Sequence, residues 1–185
     1  MRRPNHLNCP KASAQRGFAL FIVLMMMIVI AFLVVAVTQS YNTEMRISSN
    51  DADRKLAMSL AEAALRQGEG EIADLNNPTF SQDCTNGLCT AAGSAASTQG
   101  EMTIAADSSN TVAWDRACGN GMCLETNGRT YAADSDAGVS RAPRYIIEFI
   151  DAKTDGSIIY RVTARAWGSN ANTVVTVQSY VEASA

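Results

Sequence analysis

The chain has 185 residues, 47% of them apolar and 18% charged, with 15 Lys and Arg against 18 Asp and Glu for a net charge of −3. That length supports one domain with a real core and is short for two. The acidic balance argues against nonspecific nucleic-acid binding, so no nucleic-acid partner is expected. There is one histidine, His6, and no Ser-His-Asp arrangement, phosphate loop or Gly-rich dinucleotide motif, which removes the usual carriers of enzymatic chemistry. A non-enzymatic protein without a cofactor is the expectation.

In chain order, the first element is a basic leader carrying Arg2, Arg3, Lys11 and Arg16 and no acidic residue. It runs into Phe18–Val37, FALFIVLMMMIVIAFLVVAV, which contains no charged or strongly polar side chain. As a helix this run is about 30 Å long, the thickness of a hydrocarbon core. A core helix of that length would carry a polar face, so a membrane span is expected, with the positive flank holding the N-terminus in the cytoplasm. Val35–Tyr41 is a poor signal-peptidase site and the apolar run is long for a cleaved signal, so the span is read as retained.

From Thr38 to Leu75 there is no proline, and the helix is expected to continue with Leu56, Leu60, Ala64 and Leu65 near one face. Asn76-Asn77-Pro78 is a stop signal, and Gly68 and Gly70 are earlier points at which the helix can end. Ile47–Arg54 is polar on nearly all sides, as a solvated or intersubunit segment would be. The stretch from Thr79 to Ala142 is rich in Gly, Ser, Ala, Asn and Asp, which reads as loops with short strands around Met102–Ala105 and Val112–Trp114.

Within this middle region lie two near-copies, Cys84-Thr-Asn-Gly-Leu-Cys89 and Cys118-Gly-Asn-Gly-Met-Cys123; the fifth cysteine, Cys9, precedes the span. Four cysteines on the exported side form an even set, as a disulfide framework requires. Asn-Gly at the centre of each copy favours a type I′ hairpin that places its two cysteines about 4.5 Å apart at Cα, within disulfide reach. Local bridges Cys84–Cys89 and Cys118–Cys123 are therefore favoured, with the two crossed connectivities and a four-cysteine zinc site as the alternatives. Asp134-Ser-Asp136-Ala-Gly138 reads as a solvated loop. Near the C-terminus, Arg144–Ile150 and Ser157–Trp167 read as strands joined by a turn at Asp151–Gly156. Thr173–Val181 follows as a third strand after Gly168–Asn172. Lys153 and Val162 stand where a calcium loop needs oxygen ligands, so the Asp151–Gly156 segment is read as a turn and no metal is expected. The fold class is α+β: a long N-terminal helix packed on a C-terminal antiparallel meander.

The junction Lys11–Met26, KASAQRGFALFIVLMM, resembles the prepilin signal of type IV pilins and type II secretion pseudopilins. Asn50–Arg54, Ala61–Arg66, Pro143–Glu148 and Tyr160–Ala166 together resemble the PilX group of pilus assembly proteins, which are minor pilins. The resemblance implies a pilin-like fold and cleavage by prepilin peptidase between Gly17 and Phe18, with N-methylation of Phe18. Cleavage removes His6 and the four basic leader residues, leaving 168 residues and a net charge of −7. It further implies that Phe18, Ile22, Leu20 and Leu24 lie in the assembly segment, and that partners are other minor and major pilins, the pilus assembly platform and the inner membrane. Most pilins carry glutamate at the fifth mature position. Here it is Ile22, a departure shared with K-type pseudopilins that points to a tip or priming position. The resulting division is a leader at 1–17, a transmembrane half-helix at 18–37, a periplasmic extension at 38–76 and a globular domain at 77–185. The rival readings are a type II secretion pseudopilin, disfavoured because K-type members carry a larger insert, and a membrane-tethered periplasmic binding or adhesion domain.

Overall fold

A computed structural model describes residues 18–132 and 138–184 and divides the chain into two compact units, one up to Ser48 and one from Ser49. The leader with Gly17, His6 and Cys9, and the acidic loop at Asp134 and Asp136, lie outside the described residues. One helix, α1 (Phe18–Glu71), belongs to both units, and a 3-10 turn at Ile72–Asp74 follows it.

In the first unit α1 is apolar on every side from Phe18 to Val37, where its large side chains are all exposed. In the second unit the same helix acquires a buried stripe. Ala57, Ala61, Ala64 and Gly68 are fully buried or nearly so, at the i, i+4, i+7, i+11 spacing of one helical face. The expected face of Leu56, Leu60, Ala64 and Leu65 is thus corrected: only Ala64 lies at its centre, and the leucines flank it, half-buried. The cause is close approach. A Cβ placed on Gly68 would stand 2.7 Å from Val162 Cγ1 and 2.8 Å from Tyr145 Cδ2, so the contact line admits only small residues. Gly68 and Gly70 lie inside the helix rather than ending it.

After the helix come β1 (Thr79–Phe80), β2 (Leu88–Thr90), β3 (Ser97–Gln99), β4 (Met102–Ile104), β5 (Ala117–Cys118), β6 (Gly121–Met122) and the short α2 (Cys123–Thr126). β7 (Arg129–Thr130), β8 (Arg144–Ala152), β9 (Ser157–Trp167) and β10 (Val174–Ser184) complete the chain. The expected three-stranded meander is present as β8-β9-β10, but it is part of a larger mixed sheet ordered β10-β9-β8-β2, with β7 also paired to β8. β2 runs parallel to β8 in the register Leu88↔Ile147 to Thr90↔Phe149. Composition hid this strand because its three residues follow directly on a cysteine turn. The Val112–Trp114 expectation is likewise corrected. Ala113–Asp115 is a 3-10 turn, because the Thr111 carbonyl accepts from Arg116 instead of from a neighbouring strand.

The alternation along β9 divides the sheet. Tyr160, Val162, Ala164 and Ala166 face α1, and join Tyr145 and Ile147 of β8 with Phe80, Ile104 and Ile72 in the buried core. Each such large apolar side chain contributes about 1.5–3 kcal/mol on burial. The opposite face of β8 is covered by the middle region, where Ile146 packs with Ala113, Leu124 and three of the cysteines. The sheet therefore lies between the helix and the cysteine-bearing loops.

Candidate functional site

The residues expected to take part in processing and assembly fall on the exposed part of α1. Phe18 is 69% exposed, Leu20 66%, Leu24 54% and Ile22 43%. At 100° per residue, Phe18 and Ile22 share one side with Met25 and Val29, while Leu20 and Leu24 share another. No single stripe exists, which is how a helix looks when it is surrounded by lipid or by other helices. Among the described residues, α1 with its 3-10 turn (Phe18–Asp74) is the one helix long and apolar enough to cross a membrane. Gly17, the other half of the expected cleavage site, lies outside the described residues. Ile22 is an uncharged side chain at the fifth position of the helix, and its neighbours Phe21, Met25 and Met26 are equally apolar.

The cysteines sit in the second unit. Cys84 is bonded to Cys89 and Cys118 to Cys123, with Cα separations of 4.1 and 4.7 Å. The two turns differ despite their similar sequences. Asn86 and Gly87 both have positive φ, and the Leu88 N–H donates to the Thr85 carbonyl, which is a type I′ turn. Cys84 itself is left-handed, however, so no antiparallel ladder flanks that turn. In the second copy the two-residue loop is Gly119-Asn120 and not Asn120-Gly121. Cys118 pairs with Gly121, and Gly119 supplies the positive φ. Cys123 instead opens α2 and donates its N–H to the Arg116 carbonyl.

Three polar clusters hold the layers of this unit together, and the reading of sequence patterns did not identify them. Across the outer face of the sheet, Arg161 donates to both oxygens of Glu148 at 2.6 and 2.9 Å and to Tyr180 Oη at 3.2 Å. Its guanidinium lies 4.3 Å from the centre of the Trp114 ring. Burial pushes the Glu148 carboxyl up, against the pull of Arg161. Beneath the loops, Arg116 pairs with Asp107 in full burial and also donates to the carbonyls of Gln82, Thr90 and Thr111. At the end of α1, Glu71 accepts from Tyr145, Gln67 and Arg129. Burial alone would raise the Glu71 carboxyl, but these three donors outweigh it and hold it below its ordinary value. Tyr145 is pushed well above the usual phenol range by burial and by the Glu71 charge. The available signal was Glu148, a lone charge inside the apolar run Tyr145–Ile150, since a buried charge demands a partner.

At the start of the second unit, Asp53 accepts from the backbone N–H of Ser169 at 2.6 Å and of Asn170 at 3.4 Å. The Thr173 hydroxyl above all, with these two backbone donors, holds its carboxyl below the ordinary value. The polar segment Ile47–Arg54 is therefore mostly solvated, with Asp53 as its one tie to the β9–β10 turn.

A membrane-length helix of uniform apolarity, continued into a helix-on-sheet domain, defines a helix-anchored α+β protein. The model of the type IV pilus assembly protein PilX C-terminal region matches residues 85–183, more than half of the chain, and the PilX N-terminal model matches residues 16–66. The chain belongs to the PilX family of type IV pilus assembly proteins, structural components of the pilus. No curated protein and no solved structure gives a significant match.

Proposed function

We propose that this chain is a minor pilin that takes part in priming and assembly of the type IV pilus, at or near its tip, in support of pilus-dependent motility or adhesion. Prepilin peptidase cuts between Gly17 and Phe18 from the cytoplasmic side. The basic flank keeps the leader in the cytoplasm, and the domain from Ser49 onward is periplasmic until assembly. The observation that carries this reading is the helix Phe18–Val37, exposed all round and apolar through Ile22. In the bilayer it contacts lipid. In a filament it exchanges lipid contact for packing against the helices of other pilins, a step driven by side-chain complementarity without covalent chemistry. A glutamate at the fifth mature position would need a neighbouring subunit's terminal amine to offset its burial. Isoleucine makes no such demand, which suits a subunit that starts a filament rather than one added repeatedly along it.

The bridges Cys84–Cys89 and Cys118–Cys123 belong to this reading as intrachain disulfides of an exported domain. Non-reducing peptide mapping of the exported chain returns these two linked pairs, and a crossed pair would contradict it.

The reading is tested by removing the chain from its host and restoring it. Surface pili are lost or sharply reduced without it and return with the native chain. Normal pili together with loss of protein secretion would contradict the reading in favour of a secretion pseudopilin. Normal pili with normal secretion would favour a tethered binding domain.

A further inference from the structure

β10 is an edge strand of eleven residues, paired with β9 without a break in register from Val174↔Trp167 to Ser184↔Ser157. The other edge of the sheet is made of the short β2 and β7, both paired to β8. Just beyond the Val174–Trp167 pair, the Gly168 N–H donates to the Thr173 carbonyl, so Gly168 and Thr173 are a pair of the hydrogen-bonded kind. Antiparallel pairs alternate, which aims the backbone N–H and C=O groups of Val174, Thr176, Gln178, Tyr180, Glu182 and Ser184 away from β9. Among the described residues no strand receives them.

Nothing on this edge discourages pairing. Proteins blunt open edges with lysine, proline, bulges or short strands. β10 contains no Lys or Pro, and the register shift in this sheet lies between Phe149 and Asp151 of β8. The nearby charges are already matched: Glu182 with Lys153 at 2.6 Å, Arg161 with Glu148 and Arg165 with Glu125 at 2.9 Å. The helix-facing row is also incomplete. Val175, Val177, Val181 and Ala183 remain half-exposed where Tyr160, Val162, Ala164 and Ala166 of β9 are buried. In that same row the Ser179 hydroxyl oxygen is buried with no hydrogen-bond partner among the described residues.

We propose that the free edge of β10 accepts, as an added strand, an extended segment of another pilus component. The segment that fits is uncharged and carries apolar side chains at alternate positions, which extend the row Val175, Val177, Val181 and Ala183 over α1. Along the full strand it makes about ten backbone hydrogen bonds, the number found in a typical specific interface. A different chain fits better than a second copy of this one. α1 runs alongside β10 in the same direction, with Asp53 at Ser169, Ala64 beside Val177, and Leu65 and Ile72 clustered with Val181 and Ala183. Two copies paired antiparallel through β10 would run these helix segments in opposite directions, unlike chains anchored side by side in one membrane.

The proposal rests on the pilus-assembly reading, and its test separates the two. A photo-crosslinking residue is placed at Gln178 or Tyr180 in the full chain, in cells assembling pili, with Met58 and Arg66 on the exposed helix face as controls. The expected result is an adduct with another pilus component from the β10 positions and not from the controls, mapping to alternate residues of one extended segment. Gln178→Pro removes an outward N–H while leaving the β9 ladder intact, and lowers the adduct yield roughly tenfold with an unchanged melting temperature. If that variant is unstable, Tyr180→Lys places a charge on the edge and gives the same loss. Adducts only with a second copy, or none, while the mature chain still begins at Phe18 and pili still form, would overturn the strand proposal alone. Failure of processing and of pilus formation would overturn the assembly reading instead.

Discussion

The two stretches of α1 show one secondary structure stabilised by two different surroundings. From Phe18 to Val37 the helix is exposed on every side, and its apolar surface is complete around the axis. From Ser49 to Glu71 it is pinned to a sheet along Ala57, Ala61, Ala64 and Gly68, with a polar outer face and a carboxylate tied at each end, Asp53 and Glu71. Helix propensity does not separate the two stretches. Their difference lies in burial: the first is apolar, exposed and long enough to cross a membrane, and the second packs on its own sheet. Substitutions should therefore divide into those that unfold the domain and those that only spoil anchoring.

Arg161→Met has the largest expected effect, because it leaves Glu148 buried without a partner. The domain should lose about 3–5 kcal/mol at neutral pH. Burial already raises the Glu148 carboxyl, so it protonates readily once Arg161 is gone and the loss should be smaller at pH 5 than at pH 8. Denaturant titrations at both pH values check this, and equal losses would count against it. Val29→Lys marks the opposite side of the comparison. A charge at mid-span costs about 2.5–3.5 kcal/mol of membrane insertion, measurable as loss of the chain from the membrane fraction, while unfolding of the domain in detergent should be unchanged.

Gly68→Ala sharpens the account of the buried stripe. Its methyl would meet Val162 and Tyr145, at a cost of about 1–3 kcal/mol. Gly70→Ala, where a Cβ has nothing within 4 Å, should stabilise by up to about 1 kcal/mol. If the two substitutions behaved alike in thermal unfolding, the close helix–sheet contact would be refuted. The smallest effect belongs to acid. Glu71 titrates below its ordinary value of 4.5, so its contribution is present above that value and is lost as pH falls through the lowered one. Glu71→Gln should flatten this part of the acid-stability curve, lowering stability slightly at pH 7 and changing little below the lowered value.

Much of the fold was legible because its strongest signals are local. Twenty uncharged residues from Phe18 define the span, and alternation along Ser157–Trp167 defines β9. What escaped depended on pairing between distant segments. β2 is three residues whose place is set by β8, about sixty positions later. The helix contact line runs through Ala57, Ala61, Ala64 and Gly68 and not through the leucines, because the sheet comes close only where the side chains are small. The second cysteine turn shifted by one residue because Gly119 supplies a positive φ as readily as Gly121 would. Asp107 for Arg116, Arg161 for Glu148 and Tyr145 for Glu71 lie 9, 13 and 74 positions away, and no spacing rule connects these pairs. The candidate assembly residues were legible as residues, since helical periodicity alone places Phe18 beside Ile22, and both are exposed.

The most direct test of the account is the N-terminus of the mature protein isolated from membranes or pili. Intact-mass and terminal-peptide measurements should find N-methylated Phe18 as the first residue. A chain that still begins at Met1, or one cleaved after the apolar span, would contradict it.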